Sequence, residues 1–382
     1  MSRPSTVTLV LSRETAAGGR TGILRTPHGD VATPAFMPVG TFGAVRGITP
    51  DQLEAAGVEI LLANSYHLAL RPGVETITRL GGIHRFMGWT RPILTDSGGY
   101  QVFSLAPLVS VDERGAVFRS HLDGARVEMT PESSVEIQCR LGVDIGMVFD
   151  VVTATPRDRD AAARAADRTL RWSRRAKDAR ESADLARHAT NIFGIMQGGL
   201  FPDLRAANAA ALVELNFPGY AVGGLSVGES RDETMTTAEQ AVGLLPRDKP
   251  RYMMGMGTPA DLVDLCGWGY DLFDCVIPTR NGRNGSAFTD AGTVSLRNSV
   301  HANDERPLDP SCDCYACGRF SRGYLHHLAK RREMLAAILA SIHNIRYYQR
   351  LMARIREALS ADRYAEFKAA FHAAREQGEE RE

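Results

Sequence analysis

The sequence predicts an α/β chain folded as a (β/α)8 TIM barrel, extended by a hairpin insertion and by a compact C-terminal subdomain. Three observations carry the expectation. Eight short apolar runs recur along the 382 residues, at 34–39, 59–64, 92–97, 144–150, 191–197, 219–224, 251–256 and 271–276. Each is too short for a helix and too continuous for a strand with one wet face, which is how strands covered on both faces read. Helical segments lie between several of these runs, and that rhythm with eight strands is the pattern of a parallel barrel ringed by helices. Finally, no strand is followed by a convincing GxGxxG or P-loop, which disfavours the rival architecture, an open doubly wound sheet.

Taken in order, the N-terminal MSRPSTVTLVLSRE lacks the basic-then-apolar pattern of a signal peptide, and no apolar run is long enough to span a bilayer. A soluble, cytoplasmic protein is expected. Thr-Pro pairs mark four helix starts, Thr49-Pro50, Thr130-Pro131, Thr155-Pro156 and Thr258-Pro259. Threonine caps exposed amides there, and proline fits the first turn, where its missing N–H costs nothing. Residues 108–129 break the rhythm and read as paired strands around turns at Glu113-Arg114-Gly115 and Asp123-Gly124, a hairpin insertion. The barrel is expected over 1–300, with 301–382 forming the subdomain and C-terminal helices packed on it. Forty-five basic residues balance forty-five acidic ones, so any nucleic-acid partner must be held by a local patch. Residues 330–356 carry seven Lys or Arg against the single acid Glu333, a candidate patch, although a solvated helix face gives the same run.

In such a barrel the chemistry gathers at the C-terminal ends of the strands. Those ends read Asp96-Ser97-Gly98-Gly99-Tyr100-Gln101, Asp150, Gln197-Gly198-Gly199, Gly223-Gly224-Leu225, Gly255-Met256-Gly257 and Asp274. The residue types suit a purine. Carboxylates accept from ring and exocyclic N–H groups, a Gln carboxamide can donate to a carbonyl oxygen, and Tyr100 or Met254 can cover the ring faces. The last carboxylate lies in DLFDCVIPTRNGRNG, residues 271–285. A carboxylate in a buried strand is costly unless paired or used, and an Asp satisfied by backbone donors is the plain alternative. Beyond it the strand is expected to break into a loop holding Arg280 and Arg283, whose guanidinium forks suit an anionic, phosphate-bearing substrate. Asp274 could then attack or stabilise an electron-poor sugar carbon, as in retaining glycoside chemistry. A metal-binding acidic cluster is the rival reading. Against it, the strand ends supply no histidine, and the nearest, His67, reads as a structural hydrogen-bonding residue.

Six cysteines are present, and three crowd into Cys312-Asp313-Cys314-Tyr315-Ala316-Cys317. That spacing signals a zinc site rather than a disulfide framework. A fourth ligand is needed to close the tetrahedron, and His343, His326 and His327 are the candidates. Three Cys and one His leave no open position, so the zinc reads as structural.

The chain resembles the bacterial-type tRNA-guanine transglycosylases, the queuine tRNA-ribosyltransferase family. The resemblance runs through LTDSGGYQVFSL (94–105), FGIMQGG (193–199), GYAVGGLSVGE (219–229), RYMMGMG (251–257), FDCVIPTRNGRNG (273–285) and CDCYAC (312–317), in that order and across nearly the whole chain. It implies a cytoplasmic homodimer that exchanges guanine at wobble position 34 of tRNAs with GUN anticodons (Asp, Asn, His, Tyr) for a 7-deazaguanine base, in queuosine biosynthesis. It implies Asp274 as the nucleophile of a covalent ribosyl intermediate and Asp96 as the acid/base and base-recognition aspartate. Asp150, Gln197, Gly224 and Leu225 match the purine pocket, Tyr100 and Met254 its covering faces, and Arg280 and Arg283 tRNA contacts. Cys312, Cys314, Cys317 and His343 match the ligands of one zinc ion, and the choice of His343 rests on this match. Bacterial relatives usually place a Cys where this chain has Val152, as eukaryotic queuine-using relatives do, so a queuine-using enzyme of the same family is the alternative. Val227, by contrast, matches the bacterial type, and its side chain is expected to exclude queuine and favour preQ1, 7-aminomethyl-7-deazaguanine.

Two other classes compete. A catalytically silent tRNA-binding subunit would not need Asp96, Asp274 and a full purine pocket. A hydrolase with catalytic zinc would need an open metal position that a Cys3His set does not leave.

Overall fold

The computed structural model describes residues 6–100, 109–119, 124–153, 155 and 157–379. Gln101 and the motif to residue 105, the turn residue Asp123 and Pro156 lie outside the described residues. Three antiparallel strands come first: β1 (Thr8–Glu14), β2 (Arg20–Thr26) and β3 (Gly29–Thr33). Next come β4 (Ala35–Gly40), β5 (Leu61–Asn64) and β6 (Ile93–Asp96), then a separate antiparallel sheet of β7 (Val109–Val111), β8 (Ala116–Arg119) and β9 (Arg126–Met129). The remaining barrel strands are β10 (Ile145–Met147), β11 (Asn191–Met196), β12 (Tyr220–Val222), β13 (Arg251–Met253) and β14 (Leu272–Cys275). A hairpin of β15 (Ser286–Thr289) and β16 (Gly292–Ser295) follows.

Eight parallel strands close in the order β4-β5-β6-β10-β11-β12-β13-β14, and β14 returns to β4 through pairs that include Asp274↔Met37. Each of the eight apolar runs is one barrel strand. Most of their side chains, with those of the surrounding helices, fill one large apolar cluster, and Leu61, Ala63 and Ile93 of β5 and β6 join a second one, so the runs are continuous in sequence because both faces are covered. The insertion is a three-stranded meander, and Asp112 shapes its first turn by accepting from the backbone N–H of Arg114 (2.8 Å) and Gly115 (3.2 Å).

Thr49, Thr130 and Thr258 each cap a helix by accepting from the third residue on, with proline in the first turn. Thr155 does not. The helix Arg159–Glu181 starts later, where the Asp158 carboxylate accepts from Ala161 N (3.0 Å). An anionic cap facing the helix N-terminus wins over a hydroxyl three residues earlier.

At the N-terminal end of the barrel, Arg20 ties the first sheet to β14. Its guanidinium donates to both Asp271 oxygens (3.0 and 2.5 Å) and to Lys249 O (2.8 Å), with both side chains fully buried. Removing one member of such a pair strands a buried charge. Asp271→Ala is expected to cost about 3–5 kcal/mol, read as a shift in urea midpoint with little change in slope.

Two expectations are corrected by packing. The segment after β14 is a helix, Ile277–Arg283, not a loop. Pro278 opens it, and Gly282, which reads as a turn residue, is there because the long helix Met334–Ser360 presses on it. A Cβ at Gly282 would lie 2.7 Å from Ser341 N. That long helix belongs to the barrel core cluster through Tyr347, Tyr348, Leu351, Met352, Ile355 and Leu359. The basic run 330–356 is largely spent on holding it in place. Arg346 donates to Asp313 (2.7 and 2.8 Å), Arg354 to Asp290 (2.6 Å) and Arg356 to Pro34 O (2.8 Å), and Arg350 approaches Asp309 (3.6 Å). Lys330, Arg331 and Arg332 stay exposed. Among the described residues, no helix is long and apolar enough to cross a membrane.

Candidate active site

The strand ends bring Asp96, Asp150, Gln197, Gly224, Leu225, Met254 and Asp274 to the C-terminal mouth of the barrel. Asp96 ends β6 and is nearly buried. One of its oxygens accepts from the Asn64 carboxamide and the other from Ser65 N (2.9 Å), both at the end of neighbouring β5.

Asp150, three residues past β10, is buried and bound across two neighbouring strand ends. Gln197 Nε2 donates to Oδ2 (2.8 Å) and Ser97 Oγ to Oδ1 (3.4 Å). Burial pushes its carboxyl up to about 6. The Gln197 and Ser97 donors oppose that rise, and the charge of Asp96 adds to it. Gln197, just past β11, is itself fixed, because its backbone N–H donates to Asn208 Oδ1 (3.0 Å) on the helix Pro202–Val213. Gly224 lies flat on its carboxamide: a Cβ there would come within 2.2 Å of Gln197 Oε1. The glycine pair after β12 is therefore a close approach between backbone and the Gln197 side chain, which a turn motif alone would not require.

Asp274 lies across the mouth in β14. Tyr252 Oη (2.5 Å) and Gly255 N (2.8 Å) both donate to its Oδ1, leaving Oδ2 with no hydrogen-bond donor among the described residues. Burial raises its carboxyl above the ordinary range, and the two donors pull it back. Tyr252, fully buried, is held well above its ordinary value by burial and then by Asp274, with Asp96 adding to the effect, so it stays a donor. The negative charge of Asp96 is thus felt by both halves of the site, at Asp150 and at Tyr252. Tyr100 is 56% exposed at the rim, Met254 half-buried and Leu225 buried.

Arg280 and Arg283 follow on the helix after β14, one exposed and one half-buried. Burial, with the nearby guanidinium groups of Arg46 and Arg280, holds Arg283 below the ordinary arginine range. Three positive groups therefore gather beside the strand that carries Asp274. Sequence reading missed Arg46, as it missed Asn64, Ser65, Ser97, Tyr252 and Asn208. Asn64 carries a faint signal as the polar end of a strand. Tyr252 carries none, because a tyrosine in an apolar run reads as core until its neighbour across the sheet is known.

The cysteines converge as expected, and His343 is the histidine that joins them. Its Nδ1 lies 3.6 Å from Cys314 Sγ and 3.2 Å from Cys317 Sγ, and the donor atoms of Cys312, Cys314, Cys317 and His343 all lie within 4.8 Å of one another. Tetrahedral zinc places N and S ligands about 3.6 Å apart. His343 Nε2 lies 2.7 Å from Phe288 O, and a carbonyl only accepts, so Nε2 carries the proton and Nδ1 turns its lone pair to the thiols. This cluster could hold a metal ion, and its donor set suits zinc. His326 is taken up instead by Leu296 O (2.8 Å).

A family model described as queuine tRNA-ribosyltransferase matches residues 15–377. Curated proteins of the same name are similar over nearly the whole chain. The one from Desulfosudis oleivorans is 53% identical over 358 residues, covering 94% of this chain and 93% of its own. The one from Cereibacter sphaeroides is 50% identical over 367 residues, covering 96% of each. The one from Azoarcus sp. is 50% identical over 364 residues, covering 95% of this chain and 98% of its own.

Proposed function

The chain belongs to the queuine tRNA-ribosyltransferase family, and from that premise we propose that it exchanges guanine at position 34 of GUN-anticodon tRNAs for preQ1. The observation that carries the reading is the division of the mouth. Asp150 and Gln197 stand on one side as a matched acceptor and donor for a purine edge, and Asp274 stands on the other with one oxygen held and one available.

In this mechanism Tyr252 and Gly255 fix Oδ1 of Asp274, and Oδ2 attacks C1′ of the flipped nucleotide. The C1′–N9 bond breaks as the C1′–O bond forms, and guanine leaves. The incoming base then attacks C1′ through N9 and expels Asp274, so two inversions give retention. Asp96, fixed by Asn64 and Ser65, moves the proton onto the departing base and takes it from the arriving one. Tyr100 and Met254 cover the ring, and Gly224 and Leu225 complete the pocket. Arg280 and Arg283, joined by Arg46, contact the phosphates flanking the extruded nucleotide. Cys312, Cys314, Cys317 and His343 hold one structural zinc, and no step passes through it. The half-buried Val227, held by its N–H donating to Glu229 Oε2 (3.0 Å), narrows the pocket against queuine. The family likeness also supports a cytoplasmic homodimer, which sedimentation of the pure protein tests.

The test is incorporation of labelled guanine into unmodified tRNA-Tyr, with preQ1 and queuine as competitors and an anticodon-substituted tRNA as control. Exchange confined to the GUN tRNA and blocked by preQ1 alone is expected. Equal competition by queuine would discard the Val227 argument, and exchange into the substituted tRNA would discard the anticodon assignment. The pocket also sets a pH dependence. A purine N–H needs the ionised form of Asp150 as its acceptor, so base affinity is expected to fall as pH drops through about 6. Below that the loss approaches tenfold per pH unit. Titrating guanine binding from pH 5 to 8 checks this, and Asp150→Asn should flatten the profile.

A further inference from the structure

Beneath the mouth lies a buried charge that the mechanism leaves unused. Arg205, on the helix Pro202–Val213, is 1% exposed. Its Nε donates to Gly199 O (2.8 Å) and its Nη2 to Gly223 O (3.1 Å), while the buried Nη1 meets no partner among the described residues. Burial pushes the guanidinium down to about 10, so holding it here is costly. Among the described residues its bonds go to backbone carbonyls and none to a carboxylate. An arginine kept in the interior on those terms contributes geometry more than it contributes an ion pair.

That geometry concerns the two loops that read the base. Gly199 belongs to the loop leaving β11 with Gln197, and Gly223 to the loop leaving β12 with Gly224 and Leu225. The contact is tight: Gly198 has φ +147°, and a Cβ there would lie 2.7 Å from Arg205 Cγ. One turn further along the same helix, Asn208 fixes the backbone N–H of Gln197. A single helix therefore holds the strand exit through Asn208 and clips the far side of that loop to its neighbour through the fork of Arg205.

We propose that Arg205 is a positioning residue for base recognition, clipping the loops 197–199 and 223–225 in the register that presents the Gln197 carboxamide and the Gly224 backbone to the purine. This rests on the purine-pocket reading above. The two bonds are made by a charged donor, and losing them is expected to raise the KM for guanine at least about tenfold in Arg205→Met. The chemical step is expected to be spared, because Asp274 is held by Tyr252 and Gly255 on the other side. So kcat at saturating base and the yield of covalent tRNA adduct should stay within about twofold of wild type. Arg205→Lys keeps the charge but loses the planar fork, and is expected to recover part of the base affinity.

A structural role alone would lower folded yield and melting temperature without separating KM from kcat. Equal loss in both parameters, or an unchanged base KM, overturns the proposal. If Arg205→Met does not accumulate folded, Arg205→Lys decides: a rise in base KM of about threefold or more supports the role, and an unchanged KM overturns it. Wild-type activity separates the two claims. A wild type inert toward guanine overturns the purine reading itself, whereas an active wild type with unaffected variants overturns only the role of Arg205.

Discussion

Asp274→Asn is expected to abolish guanine exchange, with incorporation of labelled base into tRNA falling by at least about 10⁴-fold, the scale on which removal of a nucleophile acts. The substitution isolates the chemistry. The carboxamide oxygen can still accept from Tyr252 Oη and Gly255 N, so the folded site is expected to survive and the melting temperature to change little. What is lost is the second oxygen, and with it the bond to C1′. A covalent tRNA–protein adduct should therefore form with wild type and be absent from denaturing gels of the variant. Adduct formation by the variant would move the nucleophile to another carboxylate, with Asp96 first in line. The raised carboxyl of Asp274 adds a direction. The nucleophile must be ionised, so exchange by wild type should fail on the acid side at a pH above the ordinary carboxylate range.

Loss of the metal is expected to have the largest effect on stability. Structural Cys and His sites contribute roughly 10–16 kcal/mol of apparent binding free energy at neutral pH, as large as the entire stability of a typical domain. His343 is fully buried and stands on the helix that also packs into the barrel core, so the ion would join the segment 312–317 to that helix. His343→Ala, or stripping with a strong chelator, should abolish bound zinc, reduce the melting temperature by at least about 10 °C and expose the apolar cluster around Leu308, Leu325 and Leu339. Zinc readdition should restore stability and exchange together in the stripped wild type. Metal analysis and calorimetry on the same samples check this. A stripped protein that melts normally but cannot exchange base would mean that the metal meets substrate, and the structural assignment would be discarded.

Much of this architecture is legible in the sequence. A strand covered on both faces must be apolar at successive positions, so the eight barrel strands announced themselves as eight short runs. Thr-Pro pairs marked three helix starts because capping is a local interaction between residues three apart. The Cys-x-Cys-x2-Cys spacing and the polar residues at the strand ends were legible for the same reason: the strand-end rule needs only the position of a residue within its own element.

Contacts between elements distant in sequence were not legible. Gly282 reads as a turn residue because nothing nearby in the chain reveals the helix residue Ser341 that its missing Cβ admits. The arginines of 346–356 read equally as a patch for a polyanion or as a solvated helix face, because their partners, Asp313, Asp309, Asp290 and the carbonyl of Pro34, lie on other elements. Tyr252 sits in an apolar run and reads as core, and Arg205 carries no signal at all; the bond of Tyr252 to Asp274 and those of Arg205 to Gly199 O and Gly223 O exist only because β13 stands beside β14 and the helix Pro202–Val213 reaches the ends of β11 and β12. The residue types at the mouth follow from sequence because chemistry dictates them. Their orientation belongs to the tertiary structure, because a hydrogen bond to a carboxylate or a carbonyl depends on which side chain the closing of the barrel brings within about 3 Å of it.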